Sequence, residues 1–480
     1  MNRSELSGKV LSGLKWTATL RIIGQLISWS MSVIIIRYIK PEEYGLKSMA
    51  EITMGLLMIF SSGGMESSII QVKELSKDKI QKIFGMLIAI NLLLFSLQVV
   101  GSYPLAEYYH EPKIIPLVQA MAIGFLFVPF NAIPSALLSR AMDYRMLSTV
   151  SLVTNIVGAA CTLIMALLGF GVWSLVFGQL LIAFLNALIM NIYKPCLPLP
   201  KFSIHGISDM AAFGGTWVLT SLLWVVYSRS DIFIGGRFLS THDVGIYGVA
   251  LLLASLPSDK ILPILNQVAF PAYARIRDNK AAVAKYFLMS VRLTSLVLFP
   301  ISFGLVGTAQ HLIPVVLGNR WIDVSAILLV LGLIFPIRGI SALCAPMTNA
   351  MGRPGIQLRM MTMALILMIP GFLIGVHFGV LGMASAWVFV YPWVMLSNLW
   401  ASNKLIGIKF FSFIRAIMPP LFMSSIMLFV LLCFSSLGIV IENAWVTIGV
   451  MVVTGACVYG MGMYVLAKQR LFELRNLLRK

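Results

Sequence analysis

Fourteen apolar stretches, each long enough to cross a bilayer, take up nearly the whole of this 480-residue chain. They run over 12–36, 46–70, 83–108, 114–137, 146–168, 172–192, 211–236, 246–268, 286–308, 324–349, 360–377, 380–401, 416–436 and 444–467. A helical span needs about 20 apolar residues at 1.5 Å rise per residue. In hydrocarbon only helices and closed barrels satisfy their own backbone polar groups. Barrel strands are short segments that alternate apolar and polar residues; these runs are continuous, so they predict helices. Charged residues make up 11% of the chain, under half of the roughly 25% usual in a soluble domain. That leaves no room for a large water-soluble domain. The expected fold is an all-α polytopic membrane protein of about 14 transmembrane helices. The first stretch follows only Arg3 and Lys9, exceeds the apolar core of a signal peptide and contains Lys15 and Arg21, so it reads as a retained span.

Loop charge sets the expected topology. With the N-terminus inside, the cytoplasmic segments collect Lys73, Lys77, Lys79, Lys82, Arg275, Arg277, Lys280 and Lys285, together with the basic tail from Lys468. The opposite side has only Arg37, Lys40, Lys113, Arg237 and Arg320. The positive-inside rule then places both termini in the cytoplasm. The formal net charge of +18 is mostly this asymmetry, and no basic soluble domain exists to bind nucleic acid. The five cysteines are scattered without a Cys-x-x-Cys pair or a Cys/His cluster, so neither disulfide nor metal is expected.

The chain also repeats itself. Arg37-Tyr38-Ile39, Glu43 and Gly45-Leu46 match Arg237-Phe238-Leu239, Asp243 and Gly245-Ile246. Pro129 with Ile133 matches Pro336 with Ile340, and Phe170-Gly171-Val172 matches Phe378-Gly379-Val380. The slowly growing offset is what loop insertions leave in a duplicated chain. Six spans per copy is an even number, so the repeat is parallel, about an axis along the membrane normal. The expected organisation is an N-lobe over 1–193, a Pro/Gly-bearing cytoplasmic linker over 194–210, a C-lobe over 211–403, and two further helices with a basic tail over 404–480. In carriers built this way the substrate site lies near mid-membrane between the lobes.

Ionisable groups inside spans cost about 3 kcal/mol each on insertion scales and persist where they face a wet cavity or a partner. Arg21 stands out, with Gln25, Ser28 and Ser32 on the same helix face. Ser221, Trp224, Ser228 and Asp231 form a stripe in the corresponding phase of the seventh span. Arg338 follows Pro336 in mid-span, and Arg292 and Lys260 also lie within spans. Guanidinium groups in a cavity favour phosphate, whose oxygens they match bidentately. Arg21, Gln25, Arg292, Arg338 and Lys260 are therefore candidate contacts for an anionic substrate. Glu51, Glu66 and Asp231 are candidate carboxylates for proton or sodium coupling. The alternative for each is structural: a snorkelling cation, or an ion pair such as Glu51 with Arg21 or Lys47.

Beyond this residue-level reading, the chain resembles a known family. Ser7-Gly8, Gly13 and Lys15-Trp16-x-Ala18 are similar to the start of Wzx-type polysaccharide-exporter flippases. So are the Arg37–Leu46 motif, Ile69-Ile70-Gln71, Phe270-Pro271-Ala272-x-Ala274-x-Ile276-x-Asp278 and Val316-Leu317-Gly318-x2-Trp321. The likeness covers about residues 7–420 and is greatest to the colanic-acid-exporter branch of the multidrug/oligosaccharidyl-lipid/polysaccharide superfamily. It implies two helical lobes with a cationic cavity, and flipping of undecaprenyl-pyrophosphate-linked oligosaccharides across the bacterial inner membrane. It also implies work beside a polymerase and co-polymerase, and no cofactor beyond a coupling H+ or Na+. The family has no fixed catalytic motif, so Arg21, Arg292 and Arg338 rest on burial and charge alone. Two other readings stay open. A drug exporter of the same superfamily is disfavoured because span 1 offers Arg21 and no carboxylate; a peptidoglycan-lipid flippase shares the pattern. An enzyme is not expected, because the longest outside loop, 309–323, holds no acid–base or nucleophile constellation.

Overall fold

The computed structural model describes residues 24, 31–62, 69, 72, 75–195, 198–203, 215–437 and 443–478. Among them every apolar stretch from 46–70 onward is helical, and so are residues 31–38 ahead of them; no strand occurs. The helices are α1 (Pro41–Ser61), α2 (Lys77–Tyr109), α3 (Ile114–Arg140), α4 (Tyr144–Leu167), α5 (Val172–Tyr193), α6 (Gly215–Phe238) and α7 (Thr241–Arg275). There follow α8 (Lys280–Val316), α9 (Val324–Ala342), the short α10 (Cys344–Ala350), α11 (Pro354–Gly375), α12 (Gly379–Ile406), α13 (Phe410–Ser436) and α14 (Ala444–Leu478). Local chemistry marks the starts. Ser76, Asp143, Ser240 and Asn279 each accept a first-turn backbone N–H of the helix that follows. Among the described residues, ten helical stretches are long and apolar enough to cross a membrane. The chain is thus an all-helical, multi-pass membrane protein. Pro336 sits inside a continuous α9, and the break comes seven residues later, at Leu343.

The repeat reappears in the backbone. Glu43 and Asp243 both belong to helix starts: the Glu43 carboxylate accepts the Lys40 N–H at 3.0 Å, and the Asp243 carboxylate accepts the Ser240 hydroxyl at 2.8 Å. Gly171 (φ 54°) and Gly379 (φ 76°) both have a backbone open to little but glycine, one directly before α5 and the other opening α12.

By packing, the chain divides into two units, Met1–Arg237 and Phe238–Lys480. In the first, α2 runs along α3, and α3 and α4 both pack on α5. Gly158 and Gly178 face Ile182 and Thr162 where α4 crosses α5, a small-residue contact that lets the backbones close up. Here the packing division departs from the repeat division at 194–210, because α6, the first helix of the second repeat, is seated on the first unit. Phe233 stacks on Tyr108 with ring centroids 4.6 Å apart, Gly236 faces the Tyr109 ring, and Arg237 donates to the Tyr108 carbonyl at 2.6 Å and contacts His110. The linker residue Lys201 lies along the start of α2: its ammonium meets Asp78 at 2.6 Å, and its N–H bonds to the Gln81 carbonyl. Helix α2 has 33 residues against the roughly 20 a span requires, so this charged end projects into water. Lys201 and then Lys82 hold the Asp78 carboxyl down at about 2, and the clasp stays ionised throughout the physiological range. In the second unit α8 packs against α9, α13 and α14. Gly307 admits Leu431, and the Tyr459 hydroxyl donates to the Leu296 carbonyl at 2.9 Å.

Candidate functional site

The polar cluster with the most defined geometry lies in the first unit, on α1, α5 and α6. Lys47 and Glu51 are one turn apart on α1, and their side chains meet at 2.9 Å. The Gln179 amide of α5 donates to the same Glu51 oxygen, Oε1, at 3.0 Å. Arg229 of α6 acts electrostatically on Lys47, Glu51 and Tyr44. The Tyr44 ring lies 5.3 Å from the Lys47 ammonium. Lys47 and Glu51 thus pair largely screened from solvent, with the charge of Arg229 acting on both. Of the two partners the sequence offers for Glu51, the described one is Lys47.

Below this cluster, toward the Ser61 end of α1, α1, α3 and α5 line a half-open cavity of about 250 Å³. The face of α1 that bears Lys47 and Glu51 continues to Met54 and Met58 at helical spacing, and both methionines line the cavity. Gln179 lines it too, so one side chain belongs to the ion pair and to the cavity wall.

The remaining sequence candidates are distributed. Asp231 is fully buried on α6, where its Oδ1 accepts the Ile232 N–H at 2.8 Å. It stands two residues from Arg229, about 200° around the helix. Arg338, in the second unit, stacks on Phe335 and Trp387 at 5.0 and 4.8 Å from their ring centroids. The Trp387 indole N–H donates to the Tyr247 hydroxyl at 2.9 Å and so fixes the aromatic wall. Lys260 is half-buried on α7 beside an exposed Asp259, and Arg292 is half-buried on α8. Arg21, Gln25 and Glu66 lie outside the described residues. Gln179 is the residue that reasoning from charge passed over. A signal existed: Gln179 and Asn186 recur seven residues apart in an otherwise apolar run, on one helix face.

A profile of the family described as "Polysaccharide biosynthesis protein" matches residues 34–326, well over half of the chain. The chain belongs to this family. Among curated relatives, the lipopolysaccharide biosynthesis protein WzxC of Escherichia coli K12 is 22% identical over 91% of this chain and 89% of its own length. The teichuronic acid biosynthesis protein TuaB of Bacillus subtilis 168 is 24% identical, covering 88% of each. The succinoglycan biosynthesis transport protein ExoT of Rhizobium meliloti 1021 is 25% identical over 65% of this chain and 63% of its own. Among solved structures, the lipid II flippase MurJ in an inward closed conformation matches with a TM-score of 0.78 at 15% identity, covering 95% of this chain and 99% of that one. An inward-facing multidrug resistance MATE family transporter matches with 0.61 at 15% identity, covering 80% and 94%. These likenesses show the fold, that of polytopic membrane transporters.

Proposed function

We propose that the chain is a flippase that moves undecaprenyl-pyrophosphate-linked oligosaccharide repeat units of a surface polysaccharide across the bacterial inner membrane by alternating access. One observation supports this reading: a member of a polysaccharide biosynthesis family carries the Lys47–Glu51 ion pair, screened from solvent and under the charge of Arg229. Two cations opposite one carboxylate suit a pyrophosphate, and Glu51 is the group that competes with it for them. A proton or sodium ion reaching Glu51 neutralises the carboxylate and releases the cations to the substrate, which couples transport to an ion gradient. Arg21 and Gln25 of the first span, and Arg292, Arg338 and Lys260 of the second unit, are the further contacts expected for the anion. Glu66 and Asp231 are secondary candidates for the coupling step. The names WzxC, TuaB and ExoT attach to three different polymers, which fits a shared step on a common lipid carrier better than recognition of one polymer. The protein contributes no bond chemistry in this reading. It hands its cargo to a polymerase and co-polymerase outside, with both of its own termini in the cytoplasm.

Deleting the gene in its own cell tests the proposal. The expected result is loss of surface polymer, with lipid-linked repeat units accumulating on the cytoplasmic leaflet, and restoration of both by the full chain. Unchanged polymer export without the chain contradicts it. Rescue of cells depleted of their lipid II flippase, without effect on polymer export, would favour the peptidoglycan-lipid reading instead.

A further inference from the structure

We propose that the cavity between α1, α3 and α5 binds a single sugar ring of the cargo, as a site separate from the cation cluster; this rests on the flippase reading above. The cavity holds about 250 Å³, below the roughly 300–1,000 Å³ of pockets for drug-sized ligands, so it suits one ring and not a chain of them. Three carboxamides line it: Asn131, Gln179 and Asn186. Each is engaged at one end only. Gln179 Nε2 donates to Glu51 at 3.0 Å, Asn186 Nδ2 donates to the Ile182 carbonyl at 2.9 Å, and Asn131 Oδ1 accepts the Ser135 hydroxyl at 3.2 Å.

The other ends, the amide NH2 of Asn131 with its two N–H donors and the two carbonyl acceptors on Gln179 and Asn186, make no hydrogen bond to any described residue. Gln179 is exposed and the cavity is half open, so water or a ligand reaches these ends, and inside a membrane span an amide left unanswered is costly. Hydroxyls, each both donor and acceptor, are the complement of that set. Met54, Met121 and Phe127 supply apolar surface for the C–H faces of a pyranose. Among the described residues no charged side chain lines the cavity, which favours a neutral ligand over pyrophosphate, and a prenyl chain would leave all three amides unanswered. Gln179 then has a second role. A hydroxyl bound at its carbonyl pulls on the side chain whose amide holds Glu51, so sugar occupancy is felt at the ion pair.

The test is thiol protection in the full-length chain in lipid nanodiscs. Ala183→Cys places a reporter on the cavity wall, and Met58→Cys places a second one on a different helix. Methanethiosulfonate labelling at either site is followed by peptide mass spectrometry, which separates it from the native cysteines. The probes are methyl hexopyranosides of glucose, galactose and mannose, with inorganic pyrophosphate and geraniol as the other arms. At four times the half-protecting concentration, at least one methyl hexoside should slow labelling about fivefold. Asn131→Ala or Asn186→Ala should raise that concentration about tenfold. Protection by pyrophosphate or geraniol, or by no hexoside in either reporter, overturns the sugar site. Polymer export by the same reporter variants in cells separates the two claims: export without hexoside protection removes this site and leaves the flippase reading standing.

Discussion

Oε1 of Glu51 takes both the Lys47 ammonium and the Gln179 amide, and that shared oxygen decides how the pair responds to mutation. Removing one partner of a screened ion pair leaves an uncompensated charge, whereas replacing both with apolar groups is often neutral. Lys47→Met alone should therefore lower stability by about 3 kcal/mol, and Lys47→Met with Glu51→Met should recover most of it. Thermal unfolding in detergent and polymer export in cells are read on the same variants. A coupling role requires that the double variant regain its melting temperature and still fail to export. Recovery of both would reduce the pair to a structural contact. Residues of this kind were only half legible in the sequence. Charge drew notice to Glu51, but Gln179, a neutral amide in an apolar run, carried no such flag, and its role depends on α5 facing α1. Arg21, Gln25 and Glu66 stand on the sequence argument alone.

At the scale of elements, the repeat explains why two distant glycines share one conformation. Gly171 has φ 54° and ψ −129°, and Gly379 has φ 76° and ψ −167°. Both backbones are essentially closed to residues with a Cβ, at a cost of about 1–3 kcal/mol each. The two differ in surroundings: a Cβ at Gly171 would run into the Glu43 carboxylate, while nothing lies within 4 Å of one at Gly379. Gly171→Ala should thus destabilise more than Gly379→Ala, by the clash added to the shared backbone strain, in a side-by-side thermal unfolding comparison. Equal losses would show that Glu43 moves aside without cost. Among the described residues, helix positions follow the apolar runs because run length and hydropathy decide them in a bilayer. The break at Leu343 inside the 324–349 run was less legible. Neighbouring helices tolerate a proline in a membrane helix, and α9 continues to Ala342.

For the whole molecule, the duplication could be read from paired motifs, but the packing partner of α6 could not. Sequence repeats count α6 with the second copy, while Tyr108, Tyr109 and His110 at the end of α2 hold it to the first unit. Such contacts between residues more than a hundred positions apart leave no periodic trace. Family membership and fold are established, and the cargo is the central claim. The most direct measurement is flipping in sealed proteoliposomes that hold the purified full chain and an undecaprenyl-pyrophosphate-linked oligosaccharide labelled on its sugar. Access of an impermeant glycosidase reports how much cargo has crossed. The account predicts protein-dependent crossing that an imposed proton or sodium gradient accelerates and that Arg21→Ala abolishes, with Arg21→Lys restoring it only in part because an ammonium lacks the bidentate fork. Crossing no faster than in protein-free vesicles, with or without a gradient, would contradict it.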